Sequence, residues 1–396
     1  MKQSKIKRVI AGAVTAIMAL TMCLGMTLTS FAEDAPATVA ITKSFQMPEG
    51  TTTPAAQFTF TITPVSVDGA DYTSSPSNMP AISGQVAFTG TDAGTVATGS
   101  DVKIITKNTG DILAGVPWPH AGIYEYTITE KQTGAMTIAD ANKEALNYSQ
   151  AEYKMLVFVA EADNTTLYVK QVFVNSVLLD NGQDADGTKV DAADPGDTGA
   201  ANGLVFTNTY IKTMSGGENP NIDDPALSVN KKVAGEYADT TKDFAFTIKI
   251  TNNTLVNKAT YDGTIFNSDK TFVRTITVTA GTATDFQLRD GQTIVFMETP
   301  VGTHFDVSEA GASPYTPSVI TTTDGSSITS DARNGEGLAV TDNTLGEKTN
   351  SAAFTNTYEF GPSTGLILTG AGAALLLVAA GLATAYTVRR RRLMKG

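Results

Sequence analysis

The pentapeptide Phe206-Thr207-Asn208-Thr209-Tyr210 returns unchanged as Phe354-Thr355-Asn356-Thr357-Tyr358. In both copies Thr alternates with Phe, Asn and Tyr, a period of two that predicts a strand buried on its aromatic face. Each copy closes a segment that opens with another alternating run, Val39–Lys43 or Leu227–Lys231. The chain is therefore expected to contain two related β units.

A third element recurs between the opening and the closing run of each segment. Tyr126-Thr-Ile128-Thr-Glu130 and Phe305-Asp-Val307-Ser-Glu309 both alternate, and both end in glutamate. Lysine, glutamate and asparagine thus occur in the same order twice. A lysine amine and an asparagine side chain can form an amide cross-link, which a neighbouring carboxyl can assist by moving protons.

Strand alternation decides which lysine could take part in this chemistry. Lys43 shares a strand face with Val39 and Ile41, and Lys231 shares one with Val229, whereas Lys232 points to the opposite face. Burial among apolar residues would lower the lysine pKa and raise the pKa of Glu130 and Glu309. The alternative is ordinary: lysine guards a sheet edge, glutamate is solvated and asparagine favours a turn.

The fold expected from these runs is all-β, with two tandem immunoglobulin-like β-sandwich domains. Short strands rich in β-branched and aromatic residues are separated by Gly, Pro, Asn and Asp turns. We place the first domain at 33–211, a linker at 212–224 and the second domain at 225–360. Only residues 138–147 suggest a short helix.

The two ends of the chain have the character of targeting segments. Residues 1–32 combine a basic start with an apolar stretch and small residues before a cleavage point after Ala32, which predicts a signal peptide. Residues 366–388 lack charge and precede four arginines, which predicts a membrane-spanning helix with a cytoplasmic basic tail. A plain single-span anchor is the alternative to a sorting signal over 361–396. The only cysteine, Cys23, leaves with the signal peptide, so the mature chain has no disulfide.

Composition excludes several classes of function. The ends carry nine of the 28 basic residues and no acidic ones, so residues 33–364 have a net charge of −21 (19 − 40), which disfavours nucleic-acid binding.

The acidic loop 180–194 departs from the EF-hand order, so we expect a solvated loop rather than a calcium site. We expect no metal and no cofactor. His120 and His304 lie far apart in sequence, and Trp118 is expected to pack in the core rather than bind sugar.

These features together resemble the isopeptide-forming domains of Gram-positive pilins, of the streptococcal T-antigen backbone type. The resemblance covers nearly the whole chain, and the ordered triple repeated twice is its most specific part. It implies one bond between Lys43 and Asn208 assisted by Glu130, and a second between Lys231 and Asn356 assisted by Glu309. Residues Pro362, Thr364 and Gly365 resemble a sortase signal cut after Thr364, although Gly361 replaces the usual leucine.

The resemblance implies a structural shaft subunit of a covalent, sortase-assembled pilus, secreted and anchored to the cell wall after a transient membrane stage. Its partners would be sortase, further copies of the chain and peptidoglycan. Its only catalysis would be single-turnover bond formation within the chain. Lys189, and after it Lys170, are the candidate acceptors of the sortase linkage. The alternative is a wall-anchored monomeric adhesin or minor pilin that binds host protein or glycan.

Overall fold

The computed structural model describes residues 36–71, 79–162, 165–191, 203–215 and 220–358. Over these ranges the chain folds entirely into β-strands joined by turns, which confirms the all-β prediction. The signal peptide, the sorting signal and the membrane helix predicted at 366–388 lie outside the described residues. Among the described residues, no helix is long and apolar enough to cross a membrane.

The described residues of the first β unit form twelve strands. They are β1 (Thr42–Pro48), β2 (Ala56–Val67), β3 (Ala70–Asp71), β4 (Ser83–Phe88), β5 (Thr95–Val96), β6 (Val102–Asn108), β7 (Gly122–Glu130), β8 (Glu144–Asn147), β9 (Glu152–Ala162), β10 (Thr166–Leu178), β11 (Lys189–Val190) and β12 (Val205–Met214).

Two sheets of the first unit enclose one core. One sheet has the order β12-β1-β6-β5 with β8 beside β12, and the other has the order β11-β10-β9-β7-β2-β3 with β4 beside β2. Their inner faces meet through aromatic contacts such as Phe45 with Phe58, whose ring centroids lie 5.2 Å apart. Such facing sheets with alternating inward residues form a β-sandwich.

The second β unit also contains twelve strands. They are β13 (Leu227–Ala234), β14 (Phe244–Thr251), β15 (Thr260–Phe266), β16 (Phe272–Thr279), β17 (Thr284–Leu288), β18 (Thr293–Phe296), β19 (Thr299–Pro300), β20 (His304–Glu309), β21 (Tyr315–Thr323), β22 (Ser326–Asp331), β23 (Leu338–Thr344) and β24 (Ser351–Tyr358).

This unit repeats the sandwich plan with a different division of strands. A seven-stranded sheet has the order β16-β15-β18-β13-β24-β21-β22, and a four-stranded sheet has the order β17-β14-β20-β23. Phe246 of the smaller sheet meets Phe354 of the larger one with ring centroids 5.2 Å apart. In both units the first and last long strands, β1 with β12 and β13 with β24, lie side by side and parallel.

The short helix expected at 138–147 is wrong. The segment makes a single turn, in which the Glu144 amide donates to the Asp140 carbonyl, and then continues as β8. Strand β8 pairs antiparallel with β12, Asn147 lying opposite Thr209. Pairing with the open edge of β12 overrides the local helix preference of this alanine-containing segment.

The two units contact each other through three sets of hydrogen bonds. Thr213 and Met214 of β12 pair with Pro300 and Thr299 of β19, which extends the first unit's sheet into the second. Glu347 accepts from the Thr52 amide at 2.8 Å and from Lys212 Nζ at 2.9 Å. The Asp101 carboxylate accepts from the amide of Thr254 at 2.8 Å.

Candidate functional site

The parallel register of the terminal strands places the predicted lysine and asparagine on one face. Lys43 lies opposite Phe206, and Phe45 lies opposite Asn208. Asn208 is therefore two residues beyond the position facing Lys43, and side chains two residues apart share a face of the sheet. Lys43 and Asn208 are both fully buried.

Glutamate reaches this pair from the opposite sheet of the sandwich. Glu130 ends β7 and lies opposite Phe60 of β2, so its side chain points into the core. Its Oε1 lies 3.0 Å from Lys43 Nζ and accepts a 3.0 Å hydrogen bond from Asn208 Nδ2. Its Oε2 accepts from Lys43 Nζ at 3.1 Å. One carboxylate thus bridges the amine and the amide.

The second unit reproduces this triad with the same offsets. Lys231 lies opposite Phe354, Val233 opposite Asn356, and Glu309 opposite Phe246. Oε1 of Glu309 accepts from Lys231 Nζ at 2.7 Å and from Asn356 Nδ2 at 2.7 Å. All three side chains are at most 2 % exposed.

Burial sets the electrostatics of both triads. Loss of water lowers the pKa of Lys43 and of Lys231 from 10.5 to about 8, with the neighbouring glutamate partly opposing the shift. The same burial raises the pKa of Glu130 and of Glu309, against the pull of their lysines. Both shifts favour the state in which the proton lies on the carboxyl and the amine is neutral.

Aromatic rings line the lysine side of each triad. Lys43 Nζ lies 4.6 Å from the ring centroid of Phe58, and Lys231 Nζ lies 4.1 Å from that of Phe244. These rings exclude water from the amine, which is the cause of the lowered pKa. Phe58 of β2 and Phe244 of β14 reach this place because the two sheets of each unit pack face to face.

The triads differ at the asparagine oxygen. In the first unit, the backbone amide of Ser149 donates to Asn208 Oδ1 at 2.7 Å. In the second, Asn356 Oδ1 is buried and has no hydrogen-bond partner among the described residues. Sequence reasoning missed Ser149 because its contact is made by a backbone N–H, which every residue except proline has.

The remaining candidates lie apart from the triads. Lys232 is exposed, on the strand face opposite to Lys231. Lys189 is exposed on β11, with its Nζ 5.2 Å from the Phe173 ring, and Lys170 is exposed where the pairing of β10 with β9 shifts register. Pro362, Thr364 and Gly365 lie outside the described residues.

The two histidines do not share a site for metal binding or for nucleophilic catalysis. His120 contacts the carbonyl of Ala121, and His304 contacts the hydroxyl of Thr344. Trp118 packs against Tyr124 at the rim of the first core, with ring centroids 4.8 Å apart. In the described part of the chain, no group of three or more His, Cys, Asp or Glu side chains could hold a metal ion.

Comparison with protein families gives a match for each unit. Residues 39–211 match the family FctA, described as a Spy0128-like isopeptide containing domain. Residues 225–358 match a family described as a domain of unknown function, DUF7601. No curated protein matches the chain.

Several solved structures are similar over most of the chain. The major pilin from Streptococcus pyogenes is 19 % identical, covering 83 % of this chain and 100 % of its own, with a TM-score of 0.35. The major pilin T3.2 from the same species is 18 % identical, covering 82 % and 98 %, with a TM-score of 0.31. An adhesin from Mobiluncus mulieris with isopeptide cross-links is 13 % identical, covering 77 % and 85 %, with a TM-score of 0.25. The similarity to isopeptide containing domains therefore rests on the family match over residues 39–211.

Proposed function

We propose that this protein is the structural shaft subunit of a covalent surface pilus. The premise is that residues 39–211 belong to the Spy0128-like isopeptide containing domain family. Each β unit would carry one intramolecular Lys–Asn isopeptide bond. The observation that supports this most is the buried Lys–Glu–Asn triad, which occurs twice with the same strand offsets.

Bond formation would begin with the neutral amine. Nζ of Lys43 attacks Cγ of Asn208, and the electron pair of the carbonyl moves to Oδ1. As the carbonyl re-forms, the bond from Cγ to Nδ2 breaks. One proton passes from Nζ through the Glu130 carboxyl to Nδ2, which leaves as ammonia. Lysine and asparagine thereby become one secondary amide, with no oxidant or cofactor.

The fold supplies the orientation that this reaction requires. Amine, carboxyl and amide are held within hydrogen-bond distance of one another in a dry core. Intramolecular groups held in this way react as if at a very high effective concentration. Glu309 would serve Lys231 and Asn356 in the same role, giving one turnover per site.

We also propose that the chain is a sortase substrate. Sortase would cleave after Thr364 and transfer it to a lysine of the next copy. Lys189 is the first candidate acceptor because it is exposed on an edge strand of the first unit. The last subunit would be joined to peptidoglycan on a Gram-positive surface.

Wall extracts of the producing cells provide the test, by immunoblot against residues 33–360. A high-mass ladder is expected, and Lys189→Arg should collapse it to a single band while Lys170→Arg leaves it intact. A single band from the wild-type chain would instead favour the wall-anchored monomer that binds host protein or glycan.

A further inference from the structure

The hydrogen bond from the Ser149 amide to Asn208 Oδ1 points at the atom on which charge develops during isopeptide formation. When an amine attacks an amide carbon, the carbonyl oxygen becomes an oxyanion. Backbone amides directed at that oxygen in a water-excluded site stabilise the transition state without having to reorganise. The donor here is 2.7 Å from the oxygen, and Ser149 is 1 % exposed.

This contact also fixes which end of the Asn208 amide faces which partner. An N–H can donate only to the oxygen, so Oδ1 faces Ser149 and Nδ2 faces Glu130. Glu130 is thereby directed at the leaving nitrogen, where its proton is needed. In the first unit the two tasks of the reaction, stabilising the oxygen and protonating the nitrogen, fall to different groups.

The Ser149 amide is held in place by the loop that follows β10. Ser149 Oγ donates to Asp180 Oδ1, and the Thr207 amide donates to the same oxygen at 2.9 Å. The Gln150 amide donates to the Asp180 carbonyl at 2.9 Å. Asp180 therefore ties the residues after β8 to the strand that carries Asn208.

The second unit lacks this arrangement. Asn356 lies opposite Pro317 of β21, which has no N–H to offer, and its Oδ1 has no partner in the described part of the chain. Oε2 of Glu309 is likewise buried and unpartnered. Here no described group donates to the asparagine oxygen.

We propose that the backbone N–H of Ser149 is a catalytic oxyanion donor for the Lys43–Asn208 bond, that Asp180 is its positioning residue, and that the second unit closes its bond without such a donor. This inference rests on the proposed isopeptide chemistry and adds a residue to it. It also assigns a role to one end of the acidic loop that the sequence marked only as solvated.

Kinetics of ammonia loss in the full mature chain test this proposal. The chain, residues 33–364, is recovered unfolded from inclusion bodies and refolded by dilution from urea. Samples are quenched in acid at intervals, and the cross-linked peptides of each unit are quantified by mass spectrometry. Trp118, the only tryptophan, reports folding of the first unit in the same samples.

Ser149→Pro removes the donor, and we expect the first bond to form about a hundred-fold more slowly, the usual scale for losing one oxyanion donor. Asp180→Ala should slow the same bond by a smaller factor, and Asp180→Asn, which keeps an acceptor oxygen, should restore the rate. The Lys231–Asn356 bond should keep its rate throughout, as an internal control. Because Ser149→Pro can fail to fold, the Asp180 pair is decisive by itself.

A first bond that forms at the wild-type rate in Asp180→Ala, with Trp118 in its native environment, overturns the proposal. Equal slowing of both bonds, or no recovery in Asp180→Asn, overturns it as well. If neither unit of the wild-type chain loses ammonia, the isopeptide function itself fails. The two failures are therefore distinguishable.

Discussion

Asn208 lies two residues beyond the position opposite Lys43 along the parallel strands β1 and β12. Asn356 has the same offset from Lys231 along β13 and β24. The glutamates share a pairing too, because each lies opposite the second phenylalanine of a Phe-x-Phe strand in its own sheet. Two units with different sheet sizes thus keep the same geometry at this point.

The intact mass of residues 33–364 should be lower than the sequence mass by two ammonias, one for each bond. Lys43→Ala and Asn208→Ala should each restore one ammonia, because either change removes a reacting atom of the first unit. Lys232→Ala is the matched control, since this lysine is exposed beside Lys231 and should restore none. A chain that weighs what its sequence dictates would disprove both bonds.

Glu130→Gln should leave the first unit folded and its lysine unlinked. Glutamine has nearly the same size and can still hydrogen-bond, but it cannot carry a proton from the amine to the leaving nitrogen. Mass spectrometry should find one ammonia more than in the wild type. Glu125→Gln changes a partly exposed carboxylate of the same strand and should leave both bonds formed. Two bonds in the Glu130→Gln chain would contradict the assisted mechanism.

Loss of the first bond should lower the stability of the first unit. The bond closes a loop of 165 residues (208 − 43), which in the chain-entropy treatment of cross-links contributes about 5 kcal/mol. Urea unfolding of Asn208→Ala, followed by Trp118 fluorescence, should show a lower midpoint. Asn356→Ala should barely move this transition, because its bond lies in the other unit. Equal midpoints for Asn208→Ala and the wild type would rule out this stabilisation.

The unlinked first unit should become more stable as pH rises between about 8 and 10.5. In Asn208→Ala, Lys43 stays buried with a folded pKa of about 8 against an ordinary 10.5. Between these values the unfolded chain binds more protons than the folded one, so the free energy of unfolding rises with pH, by at most about 1.4 kcal/mol per pH unit for one proton.

The matched control for this pH effect is the double variant Asn208→Ala, Lys43→Met. Other groups titrate in both chains, so the difference between the two unfolding curves isolates Lys43. A difference that stays flat across this range would show that Lys43 keeps its ordinary pKa in the folded unit.

Removing Glu347 and Asp101 together should loosen the contact between the two units. Glu347 bridges Thr52 and Lys212, and Asp101 holds Thr254. Hydrogen exchange at the amides of Glu298 and Val301, which donate to the carbonyls of Ser215 and Lys212 across the contact, should accelerate in Glu347→Ala, Asp101→Ala. Lys348→Ala, next to Glu347 but exposed, is the control. Unchanged exchange in the double variant would mean that the Glu347 and Asp101 side chains add nothing to the strand pairing.

The sequence predicted those parts of the fold that depend on alternation. The period of two assigned Lys43 and Lys231 to the buried face and Lys232 to the exposed one, because each strand packs one face on a core. The parallel pairing of β1 with β12 and the convergence of Glu130 from the facing sheet depend on topology, which no local pattern encodes.

The helix expected at 138–147 fails for a related reason. Ala139, Ala141 and Ala145 favour helix locally, but the open edge of β12 recruits Glu144–Asn147 as a strand. That strand delivers Ser149 to Asn208 two residues later. The residue types do not predict this contact, because a backbone N–H makes it and long-range strand pairing places it.

The parallel course of β1 and β12 has a mechanical consequence once their side chains are joined. Tension entering near Thr42 would pass to β12 through the isopeptide bond, and the residues between Lys43 and Asn208 would bear none of it. That segment is roughly 550 Å of contour at full extension. Because this segment would lie outside the load path, a filament of such subunits would transmit tension with little extension.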